Sequence, residues 1–314
     1  MENTAKNVIV VTGPTATGKT ALAVELALRL NGEVISADSM QLYRGMDVGT
    51  AKVTAEEARG VPHHLVDAAD PSENWSVSRW VSAAAETAED IFSRGKLPIV
   101  AGGTNLYIDS LLSGRDFAES EDPALRAELN AEYDRLGGAA FREALRAVDP
   151  ERAEKLHAAD KKRLVRAMEV WRLTGETITV HDARTKALPP RWPSLRVALS
   201  YADRAALYAR IDERVDAMMQ NGLIDEVQRL LDAGLRPEST AMQAIGYKEI
   251  AAFLRGECPM ADAVEAVRRE SRRYAKRQLT WLRRDPELHW ILWDGVPDIS
   301  KAADEVCALR RAFK

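Results

Sequence analysis

Residues 7–12 form an apolar, β-branched run that stops at Gly13, the pattern of a strand buried on both faces of a parallel sheet. From residue 20 to 30 the apolar positions recur at helical intervals. Residues 33–37 and 97–101 read as two further strands. Between them, residues 76–94 make an amphipathic helix with Ser76 placed to cap its first turn. This alternation of strand and helix predicts a parallel sheet with helices on both faces.

After about Gly114 the pattern changes. Residues 122–136, 139–148, 150–157 and 160–173 are all helical in spacing, with no strand among them. The stretch 188–193, LPPRWP, is a stiff turn or linker. Residues 195–200 then read as a strand, long helices follow, and residues 290–293 supply a last strand. An all-helical insertion, residues 119–193, thus interrupts an α/β core made of residues 1–118 and 194–314.

With 314 residues, 46% of them hydrophobic, the chain is long enough for about two domains and a sizeable core. A net charge of −4 excludes a general polyanion binder, so any nucleic-acid surface must gather its basic residues locally. The two cysteines, Cys258 and Cys307, form no metal-binding or disulfide pattern, which points to a reduced, cytoplasmic protein. The polar start, MENTAKN, leads into an apolar run too short for a signal peptide or a membrane span.

The first strand runs into Gly13-Pro14-Thr15-Ala16-Thr17-Gly18-Lys19-Thr20, which fits G-x-x-x-x-G-K-[ST] between a strand and a helix. In that context the backbone N–H groups and the helix N-terminus face an anion. Lys19 adds a full charge, and Thr20 offers a hydroxyl to Mg²⁺. A nucleotide or other diphosphate or triphosphate ligand, such as ATP, follows. The fold class is therefore α/β, a P-loop NTPase-like parallel sheet core with an all-helical insertion domain. Yet the strand ending at Ala101 runs into Gly-Gly-Thr, not into the Asp of an ordinary ATPase. Asp38 lies at the carboxyl end of the second strand, where open α/β sheets place ligands. By position alone it suits either a general base or a water-mediated magnesium contact.

The stretch from Ser36 through Asp38, Ser39, Met40, Gln41 and Arg44 to Lys52 closely resembles the bacterial tRNA dimethylallyltransferases. So do Pro62-His63-His64-Leu65, Gly102-Gly103-Thr104-Asn105-Leu106-Tyr107 and Arg163-Leu164-Val165-Arg166-Ala167-Met168-Glu169-Val170. Further blocks are Arg210–Val215, Ala244-Ile245-Gly246-Tyr247-Lys248 and the run from Ala275 to Arg283, in the family's order over nearly the whole chain. One departure is Lys161-Lys162, where relatives often carry Pro-Gln; the zinc finger of eukaryotic relatives is absent.

The resemblance implies transfer of a dimethylallyl group from dimethylallyl diphosphate to an adenine amino nitrogen beside the anticodon of tRNA, by a monomer. That nitrogen's lone pair is delocalised into the ring, so a base must take its proton as the new bond forms; the resemblance assigns this to Asp38. It gives Gln41 to the target adenine, whose edge suits a bidentate amide. Arg214, with Lys19, Thr20 and Mg²⁺, is implied to hold the leaving diphosphate, and a guanidinium fork fits that charge. His63-His64 has no third ligand in the sequence and reads as structural or surface.

Arg268, Arg269, Arg272, Arg273, Lys276, Arg277, Arg283 and Arg284 recur at helical spacing as a basic stripe, read as a phosphate-backbone track on an acidic protein. Lys161, Lys162, Arg163 and Arg166 form a second basic cluster near the end of the insertion; by resemblance, tRNA contacts come also from Thr104, Arg126, Gln243, Gly246, Tyr247, Lys248, Gln278 and Trp281. The insertion is then a clamp for the anticodon stem-loop, and the target base must leave its stack to react. Rival readings are a small-molecule kinase using ATP, a prenyltransferase acting on free AMP, and a nucleotide-switched RNA-binding protein.

Overall fold

A computed structural model of the protein describes residues 6–114 and 122–313. Its chain follows β1 (Val8–Thr12), α1 (Lys19–Leu30), β2 (Gly32–Ser36), α2 (Ala55–Ala58), β3 (His63–His64), α3 (Val77–Ser93), β4 (Leu97–Ala101) and α4 (Asn105–Leu112). Five helices come next: α5 (Pro123–Leu136), α6 (Gly138–Arg146), α7 (Pro150–Lys155), α8 (Lys161–Thr174) and α9 (Ile178–Lys186). The chain then returns through β5 (Ser194–Tyr201), α10 (Arg204–Gln220), α11 (Leu223–Asp232), α12 (Tyr247–Leu254), α13 (Met260–Leu282), β6 (His289–Trp293) and α14 (Ile299–Ala312).

The strands pair in the order β3-β2-β4-β1-β5-β6. Every pairing is parallel, so all carboxyl ends lie on one edge. That edge carries three loops side by side: the phosphate loop after β1, the Asp38 loop after β2 and the Gly102–Thr104 turn after β4. The continuous apolar run of β1 is explained by burial of all its residues; β2 is equally buried but carries Glu33, which pairs with Arg94 and Lys96. Ile9, Val11, Leu22, Leu26, Ile99, Val197 and Leu199 sit in the core between sheet and helices.

The chain divides into two compact units, Met1–Leu111 with Trp192–Lys314, and Leu112–Arg191. The division expected at 118/119 falls on residues 115–121, outside the described residues. Within the helical unit, Leu129, Phe141, Leu145, Leu164 and Met168 form a separate apolar core. Asp149 caps α7 by accepting from Arg152 N at 3.1 Å, and it also accepts the Thr179 hydroxyl at 2.7 Å.

Several elements escape the sequence pattern, among them α2, α4, α14, β3 and α9. β3 is two residues long and half-buried, and pairs through Val34 and Ile35, so no apolar run marks it. α9 has no pronounced apolar face; Thr177 starts it by accepting from Val180 N.

Candidate active site

The phosphate loop is held open from both sides. Gly18 takes a left-handed conformation (φ 85°) and starts α1. Thr17 Oγ1 donates to Pro14 O at 2.9 Å, and Trp293 Nε1 donates to Thr17 O at 3.0 Å. Lys19 Nζ donates to Pro14 O at 2.7 Å, folded back across its own loop. Burial, followed by repulsion from Arg214, pushes its pKa down to about 7, with Asp38 pulling the other way. Thr20 is exposed on the first turn of α1.

Arg214 reaches the same place from α10. Burial lowers its pKa, and the negative charges of Asp38 and Glu57 oppose the shift. Its Nη2 donates to Thr50 O at 3.3 Å, while the buried Nε has no partner among the described residues. In this desolvated cleft the Arg214 charge helps lower the pKa of Lys19; an anion between the two cations would reverse that cost.

Asp38 follows β2 and turns its own loop. Its Oδ1 accepts from Met40 N at 2.9 Å and Gln41 N at 3.4 Å. Around it stand Tyr107 and Tyr274, neither of which has a role assigned from the sequence. Burial and the neighbouring Asp38 charge push Tyr274 up to about 12 and raise Tyr107 too, so both phenols stay protonated at neutral pH. Tyr107 stacks on the buried Trp80, with ring centroids 4.7 Å apart. Thr104 Oγ1 accepts from Ser39 N at 3.1 Å and Thr104 N donates to Ala37 O at 3.0 Å, joining the turn after β4 to the Asp38 loop.

Gln41 is already engaged. Its Oε1 accepts from Ser36 Oγ at 2.9 Å, and its Nε2 donates to Thr50 O and Ala51 O at 3.3 Å each. Met40 and Ser39 are half-buried beside it.

The residues expected to meet RNA fall into separate environments. Tyr247 is fully buried and its hydroxyl donates to Glu226 Oε1 at 2.6 Å. Gly246 N donates to Glu249 Oε2 at 2.8 Å and Lys248 pairs with Glu249 at 3.5 Å, so this block caps α12. Gln243 is exposed and donates to Pro237 O at 2.9 Å. Gln278 is buried, whereas Lys276, Arg277 and Arg283 are exposed with no ion pair among the described residues. Trp281 is exposed and donates to Asp109 Oδ2 at 2.7 Å.

In the helical unit, Arg126 forks onto Glu169 with both bonds at 3.0 Å, and Arg166 reaches the same carboxylate at 2.8 Å. Glu169 is fully buried, so it fixes two guanidinium groups at the surface. Lys162 is exposed, and Arg163 pairs with Asp160 at 2.5 Å.

Several members of the basic stripe are paired with acids in the structure. Arg272 pairs with Asp212 of α10 and Glu265 at 2.7 Å each; Arg268 meets Asp216 and Glu265. Arg269 and Arg273 share Glu270. The acids come partly from α10, so spacing along α13 could not reveal them. His63 and His64 show no metal geometry: His64 Nε2 contacts the buried Glu33 at 2.7 Å, and His63 Nδ1 contacts Val61 O at 2.9 Å. Among the described residues no group of three or more His, Cys, Asp and Glu could hold a metal.

A family model described as IPP transferase matches residues 41–285, and one described as Isopentenyl transferase matches residues 6–69. A tRNA dimethylallyltransferase of Acetivibrio thermocellus is 46% identical over 286 residues, 91% of each chain. Among solved structures, a tRNA isopentenylpyrophosphate transferase from Bacillus halodurans superposes with a TM-score of 0.71 at 39% identity, covering 96% of both chains. A eukaryotic dimethylallyltransferase acting on tRNA gives a TM-score of 0.83 at 29% identity, covering 98% of this chain and 79% of the other.

Proposed function

The chain belongs to the IPP transferase family, and from that premise we propose that it moves a dimethylallyl group from dimethylallyl diphosphate to the exocyclic amino nitrogen of the adenosine beside the anticodon in tRNA. The observation that carries this reading is the grouping of Lys19, Arg214 and Asp38 at the carboxyl edge of the sheet, close enough for the charges of Arg214 and Asp38 to act on Lys19 and that of Asp38 on Arg214. Two cations and a phosphate loop suit a leaving diphosphate; a carboxylate next to them suits a departing proton.

The reaction divides between these groups. The adenine nitrogen attacks the allylic carbon and the carbon–oxygen bond to diphosphate breaks. Asp38 takes the proton from the amino group as the nitrogen lone pair is committed to the new bond. Lys19, Arg214 and the loop N–H groups receive the charge that collects on the leaving oxygens, in a cleft already poor in water. Tyr107 and Tyr274, both protonated, wall the base with aromatic surface. Magnesium fits as a partner of the substrate more than of the protein, since no acidic cluster is present among the described residues to hold it alone. Thr20 would hold it together with diphosphate oxygens, and the ion would neutralise leaving-group charge.

Lys276, Arg277, Arg283 and Lys162 are proposed to meet the tRNA backbone, with the helical unit taking the anticodon stem-loop. No helix among the described residues is long and apolar enough to cross a membrane. The test is a product analysis. Unmodified tRNA incubated with the protein, dimethylallyl diphosphate and Mg²⁺ should yield prenylated adenosine by mass spectrometry of its nucleosides, without ATP. ADP formation from ATP in place of that product would promote a kinase.

A further inference from the structure

Gln278 lies on the buried side of α13, only 4% exposed, one residue away from the exposed Arg277. Both ends of its amide are used, and neither touches the outer face of the helix. Oε1 accepts from Thr15 N in the phosphate loop at 3.2 Å, and Nε2 donates to Gly103 O at 2.9 Å. Gly103 leaves room for this contact because it has no side chain. A Cβ there would stand 2.2 Å from Gln278 Nε2, inside van der Waals contact. One turn earlier on the same face, Tyr274 directs its hydroxyl to Gly103 O at 3.5 Å. The next residue, Thr104, holds Ser39 N, so the chain of contacts runs from the phosphate loop through Gln278 to the loop that carries Asp38.

We propose that Gln278 is a positioning residue for the diphosphate site, not an RNA contact: its amide sets the phosphate loop by holding Thr15 N and Gly103 O together. A glutamine suits this place because one end must accept and the other must donate. Thr15 N–H is thereby fixed by the protein itself, which holds the loop in one shape when no anion is bound. The Gln278 side chain thus joins the helix that carries the basic outer face to the phosphate loop. The inference rests on the phosphate loop being the diphosphate site of the reading above.

The test separates two affinities, read without turnover. Gln278→Met keeps the volume and removes both hydrogen bonds; Gln278→Glu keeps an acceptor, removes the donor and adds a negative charge. Gly103→Ala displaces the same amide from the opposite side. Inorganic diphosphate binding by calorimetry should weaken about 10-fold in Gln278→Met and Gly103→Ala, and further in Gln278→Glu. Unmodified tRNA binding at fixed salt should change less than about 2-fold in all three, with an unaltered salt slope. Conversely, Lys276→Ala with Arg277→Ala should weaken tRNA and leave diphosphate binding in place. The proposal is overturned if the Gln278 variants lose tRNA affinity as much as diphosphate affinity, or bind diphosphate normally. Gly103→Ala decides the matter where a Gln278 variant is poorly folded. Because the readout is binding of inorganic diphosphate, absence of prenylated product would count against the proposed reaction and not against this role.

Discussion

Tyr247 and Glu226, 21 residues apart in the chain, meet in the interior with hydroxyl and carboxylate 2.6 Å apart. Glu226 is 1% exposed and also accepts from Asp47 N, Val48 N and Gly49 N at 2.8–3.1 Å. A buried carboxylate with four donors is fully satisfied. It fixes the loop that leads to Thr50, whose carbonyl accepts from both Gln41 and Arg214. Gly49 is required there, since a Cβ would lie 2.5 Å from the Tyr247 ring.

The first expectation follows from that pair. Tyr247→Phe removes one donor and should cost about 1 kcal/mol of stability. Glu226→Gln places an amide N–H against backbone N–H donors and should cost about 1–3 kcal/mol. Urea unfolding measures both. A Tyr247→Phe protein of normal stability that binds tRNA weakly would return Tyr247 to the RNA surface.

Asp38→Asn tests the base. An amide cannot take the adenine proton, yet it can still accept from Met40 N, so the loop should persist. Single-turnover prenylation at saturating substrates should fall by about 10²–10⁴-fold, with tRNA and diphosphate binding little changed. A near-normal rate would remove Asp38 from this role.

The parts of the fold legible in the sequence were those written in local periodicity. The central strand β1 shows as a nearly unbroken apolar run, and the helical insertion as a stretch without such runs. The phosphate loop was legible because its chemistry is contiguous. Contacts between distant segments were not. Nothing near Tyr247 in the chain announces Glu226, and the acids paired with Arg268 and Arg272 lie partly on α10. The family resemblance places Gln278 among its exposed neighbours as a tRNA contact, and spacing alone does not say which face of a basic helix packs inward.

Lys19 makes diphosphate binding pH-dependent. In the free protein its pKa is pushed down to about 7, chiefly by burial. A bound anion favours the charged ammonium, so binding above that pH must take up a proton, and affinity should fall as pH rises beyond about 7. For the ligand-free protein the linkage has the opposite sense. Between about 7 and the ordinary lysine value of 10.5 the folded state binds fewer protons at Lys19 than the unfolded state. This group's contribution to stability therefore rises with pH across that window. Calorimetry in buffers of different ionisation enthalpy would detect the proton taken up. Lys19→Arg supplies the reference that removes the ligand's own titration, and equal proton uptake in the two proteins would refute the assignment.

The last expectation concerns which charges on α13 meet RNA. Lys276, Arg277 and Arg283 are exposed and carry no ion pair among the described residues, whereas Arg268 and Arg272 are held by Asp212, Asp216 and Glu265. A paired guanidinium has already given up part of its field, so it releases fewer counterions when a phosphate approaches. Replacing Lys276, Arg277 and Arg283 with Ala should flatten the log–log salt dependence of tRNA binding by about 2–3 units, near one per lost contact. Replacing Arg268 and Arg272 with Gln should flatten it by less than about one unit. That variant should instead lose stability, because acids on two helices are left facing one another. The two sets differ in the face they occupy more than in charge, so a net-charge effect predicts comparable slopes for equal charge removed. A larger change from Arg268 and Arg272 than from the outer three would mean that RNA breaks those ion pairs and lies along the α10 side of the helix.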